Sequence, residues 1–174
     1  MANTFTLIET KTLSTSTTSV TFSAIPATYT DLRLRISART DYGATRTGGR
    51  LTVNADSSAI YDSGYIIQYD TNIEAASGGN VNGTYLDIEY LNGTGAMANS
   101  FCVTDIYIGS YLDTTNRQMS MMSGAVSNVA SDTGLFLYNM NYRGASPITS
   151  LTLLANTGNW VANSTFYLYG IKNS

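Results

Sequence analysis

The stretch DLRLRISAR, residues 31–39, decides the fold. Leu32, Leu34, Ile36 and Ala38 alternate along it with Arg33, Arg35, Ser37 and Arg39. Successive side chains of a strand point to opposite faces, so the alternation describes one strand with a dry face and a charged face. A helix would scatter the arginines and the apolar residues around its circumference. At ~3.3 Å per residue the stretch spans ~30 Å. Immediately before it, in IPATYT (residues 25–30), Pro26 fixes its own φ and removes a ladder donor, a stiff lead-in to a strand.

The same period recurs outward from this stretch. Towards the N-terminus, Phe5 and Leu7 alternate with threonines in TFTLIETK, and SVTF (19–22) forms a second short strand beyond a Ser/Thr loop. Towards the C-terminus, RLTVNA (50–55) places Leu51, Val53 and Ala55 inward, and residues 65–69 read as a strand. Residues 72–77 read as one short helical turn. TYLDIEYL (84–91) puts Leu86, Ile88 and Tyr90 on one face and Asp87 and Glu89 on the other. FCVTDIYIGSYL (101–112) buries Cys102, Thr104, Ile106 and Ile108, and residues 117–126 alternate Met119 and Met121 with Gln118 and Ser120. LFLYNMNY (135–142), residues 148–155 and STFYLYGIK (164–172) complete the series. Gly48-Gly49, Asn92-Gly93 and the run Asn156 to Asn159 punctuate it, Asn-Gly being a turn signal because it tolerates positive φ. About ten strands with no amphipathic helix predict an all-β fold. The simplest form is an antiparallel β-sandwich of jelly-roll type, one domain over residues 1–174.

Composition narrows the function classes. At 174 residues the chain can bury a real core without staples. Its charged fraction of 12% is about half that of ordinary soluble domains, and Thr, Ser, Asn, Gly and Tyr fill the gap. Polar but uncharged surfaces suit proteins that live assembled or exposed, viral shells and fibres among them, and an ordinary sandwich also carries them. Nine basic against twelve acidic residues argue against general nucleic-acid binding. Histidine is absent and Cys102 is the one cysteine, which excludes a disulfide framework, Cys/His zinc sites and nucleophilic catalysis through histidine. No pattern calls for a cofactor. No window reaches 18 apolar residues, so no membrane-spanning helix is expected. MANTFTLIETK lacks the basic and apolar regions of a signal peptide, and folding in a cytoplasm is the simplest reading.

Two stretches carry a resemblance: IPATYTDLRLRISART (25–40) and FYLYGIK (166–172). Together they resemble virion proteins of tailed bacteriophages, many from marine and cyanobacterial phages. In that group an early IP-x-x-(Y/F)-x-D-L strand is matched by a closing F-x-L-Y-G-I strand. The resemblance implies a jelly-roll appendage on the particle exterior, such as a capsid decoration or knob protein, a head fibre or a tail-fibre tip, made in the host cytoplasm. It implies as partners the major capsid protein or neighbouring virion subunits, with the chain present in multiple copies or as a homo-oligomer. It transfers no functional residue. With the first strand opening at Phe5 and no shaft before it, a compact knob is expected rather than the tip of a longer fibre.

Three sets of residues are candidate sites. Arg33, Arg35, Arg39, Arg46 and Arg50 fall within 18 positions and form either a positive stripe for an acidic partner or the wet face of a strand. Tyr138, Tyr142 and Trp160 offer either a stacking platform for a glycan or core and interface packing. Asp87 and Glu89, on one strand face and ~7 Å apart at strand spacing, have the separation of an inverting glycosidase pair, and equally of solvated surface acids.

Overall fold

The computed structural model describes residues 4–69, 72–76, 81–115, 117–125 and 134–172. Among these residues lie twelve strands and no helix. They are β1 (Phe5–Thr12), β2 (Ser19–Phe22), β3 (Asp31–Ala38), β4 (Arg46–Val53), β5 (Tyr61–Tyr69) and β6 (Asn72–Ala76). The second half contributes β7 (Leu86–Asn92), β8 (Cys102–Ile108), β9 (Arg117–Ala125), β10 (Gly134–Tyr142), β11 (Leu151–Ala155) and β12 (Thr165–Ile171). A large sheet runs β1-β12-β3-β8-β9-β10-β5-β6 and a small one β2-β11-β4-β7. Every pairing of named strands is antiparallel. The fold is thus the antiparallel jelly-roll-like sandwich that the alternation predicts.

β3 sits inside the large sheet between β12 and β8, and Leu32, Leu34, Ile36 and Ala38 are fully buried. They meet the inward rows of the small sheet, Val20 and Phe22, Leu151 and Leu153, Leu51 and Val53, Leu86 and Ile88, in one continuous core. Burying each such aliphatic side chain contributes ~1.5–3 kcal/mol, and this common dry face holds the two layers together. Trp160 plugs one end. Its backbone bridges Thr17 and Thr40, and its ring meets Phe166 edge-on at 5.4 Å between centroids.

Several local expectations are corrected. Residues 72–76 form strand β6 rather than a helical turn, because β5 offers an open edge whose ladder overrides a weak local preference. Ala55 is exposed, since β4 stops at Val53 and both Asn54 and Ala55 turn through positive φ. β8 ends at Ile108, where buried Asp31 accepts hydrogen bonds from the Ser110 amide (2.8 Å) and the Tyr107 hydroxyl (2.6 Å). Gly93 is required for close approach rather than positive φ: a Cβ there would lie 2.1 Å from the Ala44 carbonyl oxygen.

Candidate functional site

The five arginines do not form one stripe. Arg33 and Arg35 project outward from β3 as the alternation requires, and both reach Asp105 on β8, at 2.8 Å and 3.4 Å. Arg35 and Asp105 are register partners, so one carboxylate serves both cations. Its hydrogen bond to Arg33 holds that guanidinium above its ordinary pKa. Arg39 lies past the end of β3, where alternation no longer applies. It is buried, and its guanidinium donates to the carbonyl oxygens of Met97 (2.6 Å), Ser100 (3.0 Å) and Ala96 (3.3 Å), tying down the loop over residues 96–100. Arg46 and Arg50 belong to the small sheet. Arg46 lies over the Tyr90 ring at 4.8 Å and donates to its hydroxyl, and Arg50 lies over Tyr85 at 4.3 Å. Proximity in sequence therefore spread these charges over two sheets and a loop.

Tyr138, Tyr142 and Trp160 offer no stacking platform, since they are 6%, 2% and 0% exposed. The even positions of β10 point inward, where Tyr138 meets Tyr65 and Tyr142 meets Tyr61, each pair at 5.2 Å between centroids. The packing alternative holds for all three.

What the sequence reading missed is the outward face of the large sheet. Among the described residues eleven large hydrophobics are exposed, and eight of them project from this face. Phe5, Leu7, Ile66, Val103, Tyr107, Met122, Leu135 and Leu137 are each 39–52% exposed. One cross-strand row reads Tyr169, Arg33, Tyr107, Ser120, Asn139, and the next Tyr167, Arg35, Asp105, Met122, Leu137, Ile66. Phe5 and Leu137 line the same depression of about 480 Å³, together with Arg33, Asp105, Tyr107 and Met122. Their strands are five places apart, so the depression runs across much of the outward face of the large sheet. A signal existed in the sequence. MSMM (119–122) and LFLY (135–138) carry apolar residues on both faces, the pattern of strands covered on both sides.

Asp87 and Glu89 do share the outward face of β7. Burial, reinforced by the neighbouring Asp87 carboxylate, pushes Glu89 from 4.5 to about 7. Burial also raises Asp87, with Arg50 opposing it. Among the described residues no group of three or more His, Cys, Asp or Glu side chains could hold a metal ion.

No protein-family profile matches the chain, and no curated protein matches it in sequence. Solved structures show only remote likeness. An exo-inulinase from Aspergillus awamori aligns over 96% of this chain at 11% identity and a TM-score of 0.48, and the chain spans just 29% of that enzyme. A galectin from Caenorhabditis elegans aligns over 94% of this chain and 96% of its own length, at 6% identity and a TM-score of 0.37. A homodimeric agglutinin from chicken liver aligns over 85% and 98%, at 12% identity and a TM-score of 0.33. Likenesses this distant say nothing about ligand or activity, and the architecture described above rests on this chain's own strand pairing.

Proposed function

We propose that this chain is a binding subunit of a tailed-phage particle, a jelly-roll knob that docks on a neighbouring virion subunit through the outward, apolar face of its large sheet. The observation that carries the reading is the concentration of exposed Met122, Leu137, Ile66, Val103, Leu135, Phe5, Leu7 and Tyr107 on that one face. A free monomer seldom displays so many large apolar side chains side by side, and a surface of this kind marks an interface. The few charges on it suit burial. Arg33 and Arg35 are already paired with Asp105, so covering them strips water from a hydrogen-bonded group rather than from isolated ions.

The resemblance of residues 25–40 and 166–172 to phage appendages supplies the particle, and the low charge of 12% fits life in an assembly. The major capsid protein is the first partner, with the knob present in many copies. Docking needs no metal or nucleotide, and it follows assembly of the shell. A cryo-EM comparison of wild-type particles with those of a deletion mutant tests this reading. Density lost from the capsid exterior, with DNA still packaged, is the expected result. Density lost from the tail alone, with adsorption abolished, favours a receptor-binding or carbohydrate-binding fibre tip instead.

A further inference from the structure

A second feature lies at the rim of the large sheet. β1 is an outermost strand there, and along one side it pairs with β12 from Phe5 to Thr12. Among the described residues its other side carries no backbone hydrogen bond. Which groups face that open side follows from the ladder. The Leu13 amide donates to the Ser164 carbonyl at 2.9 Å. Bonded positions alternate in an antiparallel ladder, so Lys11 and Glu9 also turn their backbone groups to β12. Thr10 and Thr12 turn theirs away from it. An eight-residue strand with an open row of this kind is a template for another strand.

Proteins commonly guard such an edge with a bulge or an inward-pointing charge. β1 has both. Its register slips between Leu7 and Glu9, which leaves residues 9–12 in unbroken register with β12. Lys11 shares a face with buried Phe166, its ammonium over the Phe22 ring at 5.6 Å. Yet Lys11 is not alone there. Glu9 lies on the same face opposite Leu168, and the two half-exposed charges pair at 2.6 Å. Only Thr10 separates them in sequence.

Opposite charges two residues apart on an edge are self-complementary. When two copies of β1 run antiparallel about a two-fold axis at Thr10, Glu9 meets the partner's Lys11 and Lys11 meets the partner's Glu9. Thr10 then faces the partner's Thr10 as a bonded pair, as its outward-turned backbone groups require. An axis at Glu9 would set two carboxylates directly opposite, and an axis at Lys11 two ammonium groups; both registers are disfavoured. The charges that keep off a foreign strand thus select one register for a second copy. From this geometry we infer that β1 is the interface of a two-fold symmetric dimer of this chain, its two large sheets joined edge to edge. The axis stands perpendicular to the sheet, so both outward apolar faces lie on one side of the dimer. The interface is separate from those faces and does not depend on what docks there.

Sedimentation equilibrium of the full chain, at concentrations up to about a millimolar, tests the inference. Wild type should show a reversible monomer–dimer equilibrium. Thr10→Pro removes the central outward-facing donor and spares the bonds to β12, so it should melt close to wild type yet stay monomeric. Glu9→Lys and Lys11→Glu each set like charges across the axis and should weaken the dimer about tenfold or more. Mixed together, these two variants should form a heterodimer, because two lysines on one copy then meet two glutamates on the other. A Met122→Lys/Leu137→Lys variant, altered on the outward face, should dimerise like wild type. A wild type that stays monomeric, single variants that fail to associate on mixing, or a dimer that survives Thr10→Pro overturns the proposal. A dimer lost in Met122→Lys/Leu137→Lys would place the contact on the sheet face and overturn it equally.

Discussion

The ring of Tyr29 fills the space that a side chain at residue 170 would need. A Cβ on Gly170 would lie 2.3–2.5 Å from three atoms of that ring. Tyr29 belongs to IPATYT and Gly170 to FYLYGIK, and their strands β3 and β12 are hydrogen-bonded neighbours. The two stretches that carry the resemblance to phage appendages are thus one structural unit, a strand pair closed by a tyrosine over a glycine. Tyr111 reinforces it by donating its hydroxyl to the Pro26 carbonyl.

Gly170→Ala must therefore displace the Tyr29 ring, and overpacking of this kind costs ~1–3 kcal/mol. Gly64 lies on the same sheet with nothing within 4 Å of a built Cβ. Thermal melts should show a clear loss for Gly170→Ala and little change for Gly64→Ala. Equal shifts would mean that the ring and the glycine are not in contact.

Arg39 separates two roles that the sequence lumped together. Arg39→Ala leaves the Ala96, Met97 and Ser100 carbonyls without their buried donor, a loss of ~2–4 kcal/mol. Arg39→Lys should recover only part of it, because a single ammonium cannot reproduce the planar fork. Arg35→Ala removes a half-exposed cation from Asp105, which keeps Arg33 as its partner, and should cost at most ~1 kcal/mol. Denaturant melts of the three variants check this order.

Glu89 gives the fold a pH dependence of definite sign. Its carboxyl titrates near 7 in the folded chain against 4.5 when exposed, so the folded state holds the proton more tightly. The stability this gives is complete below pH 4.5 and is lost as pH rises through 7, by about 2–3 kcal/mol for this group. Glu89→Gln should remove that slope and make the protein more stable than wild type at pH 8. Parallel stability curves for the two proteins between pH 4.5 and 8 would contradict it.

How legible this was varied with what carried the information. The dry rows of β3, β8 and β12 could be read directly, because Leu32, Ile106 and Phe166 obey strict alternation inside a sheet covered on one side. β6 could not, since its strand state comes from pairing with β5 rather than from its own residues. The arginines misled because sequence distance is a poor guide once a chain crosses between layers: Arg35 and Arg50 end on different sheets. The approach of Glu89 and Asn156 to Gly48 brings together residues far apart in sequence beside a bulge, and no local pattern announces it. The apolar outward face was visible only as runs apolar on both sides, which a rule that assigns one dry face per strand passes over.

Docking through that face is the central claim, and one occupancy measurement tests it most directly. Particles lacking the chain are mixed with purified wild-type protein or with a Met122→Lys/Leu137→Lys variant, whose substitutions point to solvent in the free subunit and should leave the fold intact, as a melt can verify. Bound protein is then counted per particle. Wild type should fill its sites in fixed stoichiometry and the folded double variant should leave them empty; equal occupancy by the two would show that another surface does the docking.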